Sequence, residues 1–135
     1  MDIKLKEVST AALAYLGDCV LELCVRRMLV EQGFSSSKRL NAKALLYVTA
    51  KAQAKAVEKI LPLLSEEEDA VYHRGRNISH ANVPKSASLS EYRMATGLET
   101  LFGYLHLGGR VDRIEELFKI AYQTENEING GNENE

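Results

Sequence analysis

Two acidic residues occur inside apolar segments of this chain, where a carboxylate is least expected. Asp18 interrupts the segment ALAYLGDCVLEL, and Glu99 interrupts MATGLETLFGYL. Each acid shares its predicted helix face with small side chains, because residues three, four and seven positions apart lie on one face. Small neighbours leave room for a bulky group to reach the carboxylate. These neighbours are Ala11 and Ala14 for the first acid, and Ala95, Thr96 and Gly103 for the second.

Partial burial of Asp18 and Glu99 would require a compensating cation, because an unpaired ionised carboxylate is costly to remove from water. Arginine or lysine could supply the charge, as could a divalent metal ion. Mg²⁺ binds one or two protein carboxylates and keeps several waters and substrate phosphate oxygens, and it can activate water for attack on a phosphate. Spacing alone leaves the ordinary alternative open, in which each acid is solvated or paired within its own helix, as predicted for Glu22 and Arg26.

Apolar residues recur with a period near 3.6 along most of the chain, which predicts an all-α fold arranged as a helical bundle. A cap at Ser9 or Thr10 begins the first helix, Gly33 ends it, and serine caps at Ser65 and Ser88 begin two others. The segment SSSKRL is interpreted as a turn and GRNISHANVPKSAS as a loop. The predicted helices cover about 10–31, about 40–61, a short stretch after residue 65, about 89–107 and about 111–124.

The length of 135 residues suits a single domain. We place this domain at residues 1–124, followed by an acidic tail at 125–135 that is expected to be disordered. The tail holds four Glu and no Lys or Arg, which leaves 17 basic against 15 acidic residues in the rest. Cys19 and Cys24 point in different directions on one predicted helix and cannot pair, as expected of a cytoplasmic protein. No long apolar run and no signal-peptide pattern occur, so no membrane segment is expected.

The residues around the two acids resemble motifs of a known family. LAYLGDCVLEL resembles the signature helix of the ribonuclease III family, in which a hydrophobic residue, Gly and Asp precede apolar positions. TGLETLFGYLHL resembles the family's second motif, in which a Glu precedes an apolar run and a Gly. The order and separation of the motifs also fit. Because no double-stranded-RNA-binding domain accompanies them, and because RGRN occurs at 74–77 and AKAQAKAV at 50–57, the chain is most similar to the stand-alone Mini-ribonuclease III group.

The resemblance implies a ribonuclease III-like endonuclease domain that forms a symmetric homodimer through the signature helix. It implies that Asp18 and Glu99 are catalytic ligands of Mg²⁺, which Mn²⁺ can replace. It further implies hydrolysis of double-stranded RNA to 5′-phosphate and 3′-hydroxyl ends. The expected substrate is the precursor of large-subunit (23S) ribosomal RNA, and a ribosomal protein is a candidate helper. Larger members carry further acids where this chain has Ala11 and Thr96, so the number of bound ions is left open.

A protein that holds duplex RNA must contact its phosphates and 2′-hydroxyls, and two basic features could do so. The first is a ladder at every fourth position of the second predicted helix, which drifts around the helix so that only two or three of its lysines can face one ligand. It comprises Lys43, Tyr47, Lys51, Lys55 and Lys59. The second is the loop that leads into the helix of Glu99. A solvated helix face and a polar loop are the ordinary alternatives. The candidate RNA contacts are Lys43 and Lys51 from the ladder, and Arg74, Arg76, Asn77 and Lys85 from the loop.

The sequence leaves open the class of function and the residues of the dimer interface. A ribonuclease III-fold protein could have lost catalysis and only bind structured RNA or the ribosome, which Ala11 and Thr96 would favour. An all-α nucleotide pyrophosphohydrolase is a third class, for which the acidic segment SEEED at 65–69 is the only indication, and a helix start explains those acids better. The apolar residues that could form either the dimer interface or the core of one protomer are Leu21, Val25, Met28 and Leu29.

Overall fold

Six α-helices, numbered in chain order, make up most of the part of the molecule that the computed structural model describes, residues 4–78 and 88–123. No strand occurs within these ranges, so the all-α prediction is confirmed. Short 3₁₀ turns lie at Leu5–Glu7 and Leu61–Leu63. The helices are α1 (Thr10–Glu31), α2 (Ser37–Val48), α3 (Ala50–Ile60), α4 (Glu66–Arg76), α5 (Leu89–Leu107) and α6 (Val111–Phe118).

Serine side chains begin three of these helices at the predicted positions. Ser9 Oγ accepts a hydrogen bond from the Ala12 amide at 3.1 Å and begins α1. Ser65 and Ser88 form complete capping boxes with the glutamates three residues later and begin α4 and α5. These bonds satisfy amide groups that a helix start leaves without a partner. Gly33 follows the end of α1 with a φ of 95°, a left-handed conformation that favours glycine.

The single second helix predicted at about 40–61 is wrong, because Thr49 divides it. Thr49 is extended, with a ψ of 156°, and its Oγ1 accepts a hydrogen bond from the Ala52 amide at 3.2 Å. A threonine favours such a cap over a helix interior, where its hydroxyl competes for backbone hydrogen bonds. The first of the two helices also begins earlier than predicted, because Ser36 caps it, so the predicted turn SSSKRL is shorter.

Helices α1 and α5 form the centre of the fold and approach each other at two glycines. A Cβ atom on Gly17 would lie 1.5 Å from the carbonyl oxygen of Glu99, and a Cβ atom on Gly103 would lie 2.0 Å from the carbonyl oxygen of Leu13. The two backbones therefore touch directly. A glycine inside a helix costs roughly 1 kcal/mol relative to alanine, and this contact explains why Gly17 occurs in the most apolar segment of the chain.

The end of α4 is held against α5 by two further close approaches. A Cβ atom on Gly75 would lie 2.2 Å from Thr100 Oγ1, and a Cβ atom on Gly97 would lie 2.6 Å from the ring of Tyr72. Gly75 lies within the segment RGRN, and Thr100 directly follows Glu99. The last turn of α4 is therefore placed beside the turn of α5 that carries Glu99.

Four apolar residues of α1, which the sequence assigns either to the core or to a dimer interface, lie in the core of the protomer. Their exposed fractions are 2% or less, because they pack against α3, α5 and α6 rather than facing outward. They are therefore not the surface residues of an interface. Other apolar side chains of α1 face outward: Tyr15 is 86% exposed, Leu23 63% and Val30 62%. The buried set comprises Leu21, Val25, Met28 and Leu29.

The last helix is shorter than the pattern at 111–124 predicts. It ends at Phe118, and a π-helical turn, Lys119–Gln123, continues the chain. Thr124 and the acidic tail at 125–135 lie outside the described residues, so the domain boundary at 124 stays a prediction. Across the described ranges, no helix combines the length and apolar character that a membrane span requires.

Candidate active site

The structure brings Asp18 and Glu99 together at the crossing of α1 and α5. Because Gly17 lies against the backbone of Glu99, the next residue, Asp18, emerges beside the Glu99 side chain. The two carboxyl groups hydrogen-bond each other. Asp18 is exposed to solvent, whereas Glu99 is half-buried. The pair therefore joins a solvent-reachable carboxylate to a more deeply placed one.

The environment of Glu99 favours the protonated form. Burial raises the pKa of this carboxyl from an ordinary 4.5 to about 8, and the charge of Asp18 and the hydrogen bond to Asp18 act in the same direction. A hydrogen bond with the Gln53 side chain lowers this pKa by a smaller amount. At neutral pH, Glu99 therefore carries a proton that it can donate to Asp18. A divalent cation would compete with that proton, because a carboxylate must be ionised to bind a metal ion.

No basic side chain of the described residues forms an ion pair with either acid. Glu22 shows the ordinary alternative, in which an acid pairs with an arginine of its own helix. Its Oε1 lies 2.8 Å from Arg26 Nη2. The oxygen atoms of Asp18 and Glu99 are thus not paired with a basic side chain of the described residues. Oxygen ligands of this kind suit hard cations such as Mg²⁺ and Mn²⁺.

The described residues contain no cluster of three histidine, cysteine or acidic side chains that could hold a metal ion. Ala11 is exposed, and Thr96 Oγ1 donates a hydrogen bond to the carbonyl oxygen of Tyr92 at 3.1 Å. Neither residue supplies a further carboxylate beside the pair. Among the described residues, the candidate protein ligands for an ion at this place are therefore Asp18, Glu99 and neutral groups around them.

Gln53 is a neutral group of this kind that the sequence analysis missed. It is 3% exposed, and its side chain interacts with the Glu99 carboxyl and lowers the pKa of that group. The oxygen Oε1 is buried and has no hydrogen-bond partner among the described residues. Such an orphaned oxygen, on a side chain that interacts with Glu99, fits a cation better than a closed hydrogen-bond network. The sequence pattern of α3 does indicate that Gln53 points inward, because residue 53 falls on the same helix face as Ala56, Val57 and Ile60.

The basic end of α4 lies against the turn of α5 that carries Glu99. Arg74 and Arg76 belong to the last turn of α4, and Asn77 caps it, so the predicted loop begins later than residue 75. Arg74 is exposed and donates a hydrogen bond from Nη2 to Thr10 Oγ1 at 3.0 Å, which joins the end of α4 to the start of α1. Arg76 Nη1 donates to Asn77 Oδ1 at 3.4 Å. Lys85, the fourth candidate of this region, lies outside the described residues.

The lysine ladder predicted on one continuous helix is wrong. Lys43 belongs to α2, and its Nζ lies 5.3 Å from the ring centroid of Phe34. Lys51 belongs to α3 and is exposed on the other side of the break at Thr49. The two lysines therefore do not continue one helical row, although each stays a candidate for contact with a phosphate.

Two acids of the segment SEEED, Glu67 and Glu68, form contacts that stabilise the fold. Glu68 is 6% exposed and forms an ion pair with Arg113, in which Nη2 lies 2.8 Å from Oε1. The hydrogen bond from Arg113 lowers the pKa of Glu68, and Glu68 also completes the capping box of α4. Glu67 accepts a hydrogen bond from the hydroxyl of Tyr104. These contacts give both acids structural roles and remove the indication for a nucleotide pyrophosphohydrolase.

Comparison with known proteins agrees with this arrangement. Residues 11–110 match the profile of the Ribonuclease III domain. The Mini-ribonuclease 3 of Symbiobacterium thermophilum is 44% identical over 81% of this chain and 84% of its own length, and that of Enterococcus faecalis is 40% identical over 92% and 96%. The crystal structure of protein FN1578 from Fusobacterium nucleatum superposes with a TM-score of 0.81 at 30% identity and covers 92% of this chain and 99% of that one.

The matched region contains both carboxyl groups and spans α1 to α5. Proteins of the matched family act on RNA and generally depend on divalent metal ions. The helical fold, the length and the identity to several Mini-ribonuclease 3 proteins agree with one another. The chain therefore belongs to the ribonuclease III family of endoribonucleases, within its Mini-ribonuclease III group.

Proposed function

We propose that the protein is a Mg²⁺-dependent endoribonuclease that cleaves double-stranded RNA and takes part in maturation of the 23S ribosomal RNA precursor. The observation that supports this function most directly is the convergence of Asp18 and Glu99, which have no basic partner among the described residues. The relatives named Mini-ribonuclease 3 support the same class of reaction. A ribosomal RNA substrate also implies that the enzyme acts in the cytoplasm.

In this proposal, Asp18 and Glu99 hold the divalent ion, which Mn²⁺ can replace. When bound, the ion supplies an activated water and stabilises negative charge on the scissile phosphate. The exposed carboxylate of Asp18 can be reached from solvent by RNA, whereas the half-buried Glu99 is held by the direct contact of α1 with α5. Glu99 must lose its proton before it can act as a ligand. The products carry 5′-phosphate and 3′-hydroxyl ends.

The RNA backbone is proposed to lie along the basic end of α4. Arg74, Arg76 and Asn77 can donate hydrogen bonds to phosphates and 2′-hydroxyls, and they lie beside the turn that carries Glu99. Lys85 extends the same segment of the chain. Lys43 and Lys51 are proposed as further phosphate contacts. Duplex RNA is recognised mainly by its shape and backbone, so these contacts give affinity without strong sequence preference.

A symmetric homodimer is proposed to form through the outward face of α1. Tyr15, Leu23 and Val30 expose large apolar side chains on this helix. Contact between two such faces removes apolar surface from water, which is the main driving force for association. Each protomer would then cut one strand of the duplex, and a ribosomal protein is a candidate partner that presents the precursor.

The test is cleavage of long duplex RNA with Mg²⁺ or with a chelator, using wild type, Asp18→Asn and Glu99→Gln. Metal-dependent cleavage that both substitutions abolish is the expected result. Asp112→Asn is the matched control, because Asp112 is exposed at the start of α6 and pairs with Arg110. RNA that is bound but never cut by wild type would favour a protein that only binds structured RNA. For the ribosomal role, cells that lack the protein should accumulate 23S precursor.

A further inference from the structure

Gln53 presents a buried polar atom for which the described residues offer no partner. Its side chain is 3% exposed, and Oε1 accepts no hydrogen bond from any described group. A buried acceptor without a donor costs free energy, so such atoms are rare unless they serve an ion, a water or a reaction. The position of this oxygen beside the carboxyl pair is therefore informative.

The orientation of the Gln53 amide is determined by the break between α2 and α3. Val48 is the last residue of α2, and its carbonyl oxygen has no helical partner because Thr49 turns the chain. Gln53 Nε2 donates a hydrogen bond to this oxygen at 3.0 Å. Only the nitrogen of an amide can donate, so the bond assigns Nε2 to the side of Val48 and leaves Oε1 on the opposite corner.

The Gln53 side chain also interacts with the Glu99 carboxyl. The oxygen and nitrogen of one amide are separated by only about 2.2 Å, as its bond lengths require. Oε1 therefore lies close to the Glu99 carboxyl. Asp18, Glu99 and Gln53 come from α1, α5 and α3, so three different helices each direct an oxygen-bearing side chain to one place.

We propose that Gln53 Oε1 is a third protein ligand of the divalent ion, an inference that rests on the proposed function. The oxygen of a side-chain amide is a suitable ligand for hard cations. A neutral third ligand compensates for the carboxylates that this chain lacks at Ala11 and Thr96 and adds no repulsion to the Asp18–Glu99 pair. The bound ion would also give Gln53 Oε1 the electrostatic partner that the described residues do not provide.

Binding of Mn²⁺ alone, measured by calorimetry without RNA, tests the proposal in wild type and two variants. Gln53→Leu removes the oxygen at similar volume and should weaken Mn²⁺ binding by about tenfold or more, as losses around metal sites usually do. Gln53→Glu retains an oxygen and adds a charge, so it should bind Mn²⁺ at least as tightly as wild type. The control Gln32→Leu, at the exposed end of α1, should leave the affinity unchanged.

Thermal unfolding of the metal-free variants separates a ligand from a merely structural residue. If both Gln53 variants keep the wild-type affinity for Mn²⁺ and change only metal-free stability, the proposal that Gln53 is a ligand is overturned. In that case, Mn²⁺ binding that still requires Asp18 would leave the proposed function intact. If Gln53→Leu does not fold, Gln53→Glu decides, because weaker Mn²⁺ binding by that folded variant also contradicts the proposal. Failure of wild type to bind Mn²⁺ would reject the metal site as a whole.

Discussion

The carbonyl oxygen of Glu99 occupies the space where a side chain on Gly17 would begin, with a Cβ atom 1.5 Å from that oxygen. This contact places Asp18, the next residue, beside the Glu99 side chain. Backbone packing of two helices thereby sets the position of both candidate catalytic groups. Any side chain at position 17 must separate the helices and so disturb the carboxyl pair.

Gly17→Ala should therefore destabilise the protein by about 3 kcal/mol, because the cost of overpacking exceeds the gain in helix propensity. Urea unfolding followed by circular dichroism measures this loss. Gly108→Ala is the matched control, since the nearest atom to its Cβ would be 3.4 Å away and its φ is −79°, and it should change stability by less than about 1 kcal/mol. Equal effects of the two substitutions would contradict the close contact.

The metal-free protein should lose stability as the pH rises from about 4.5 to about 8. Glu99 has a pKa raised to about 8 in the folded state, against an ordinary 4.5. The folded state therefore binds more protons than the unfolded state in this window, and its stability falls with increasing pH. Free energies of unfolding at several pH values, measured with a chelator, test this prediction.

Glu99→Gln should flatten this part of the pH profile, because glutamine does not titrate. Glu58→Gln, on the exposed surface of α3, should leave the wild-type slope unchanged. A wild-type profile as flat as that of Glu99→Gln would show that Glu99 titrates normally. Cleavage of RNA should rise with pH over the upper part of the same window, because the ion competes with the proton of Glu99.

Arg113→Met should destabilise the protein by about 3 kcal/mol. The substitution keeps an apolar stem but leaves the Glu68 carboxylate without its ion pair in a site where its side chain is only 8% exposed. Arg110→Met removes an exposed pair, with Asp112, and should cost less than about 1 kcal/mol. Denaturant unfolding of the two variants provides the comparison. A loss at Arg113 no larger than that at Arg110 would rule out an energetic role for the pair.

Arg76→Ala should weaken binding of duplex RNA uniformly across sequences and reduce the slope of log affinity against log salt by about 1. Arg76 lies in the last turn of α4, beside the helix that carries Glu99. Binding is measured with a chelator, so that no RNA is cut. Arg110→Ala, on the exposed start of α6, should leave the slope unchanged. An unaltered slope for Arg76→Ala would exclude a phosphate contact at this residue.

Leu23→Glu should shift the protein from dimer to monomer, because it introduces a charge into the proposed apolar face of α1. Leu23 is 63% exposed in the protomer, so the fold itself should tolerate the substitution. Sedimentation equilibrium measures the mass, and circular dichroism verifies the helices. Leu45→Glu, at a leucine of α2 that is 61% exposed, is the control and should stay dimeric. A wild type that is monomeric at all concentrations would contradict the proposed dimer.

The sequence determined those features that depend on contacts within a few residues. The caps at Ser9, Ser65 and Ser88 each involve a backbone amide only three positions away, and the sequence predicts all three. The motifs around Asp18 and Glu99 likewise indicated the family, because their identity lies in adjacent residues. For the same reason, the all-α class followed directly from the periodicity of apolar residues.

The tertiary structure decided every feature that depends on neighbours distant in the chain. The phase of the apolar pattern alone does not separate Leu21, in the core, from Leu23, on the surface, because both lie in one apolar run. The role of Gln53 was hidden for the same reason, since its partners are the Val48 carbonyl at a helix break and the Glu99 carboxyl of another helix. Burial and long-range hydrogen bonds arise only when the helices pack, and they decide which polar atoms can meet a metal ion.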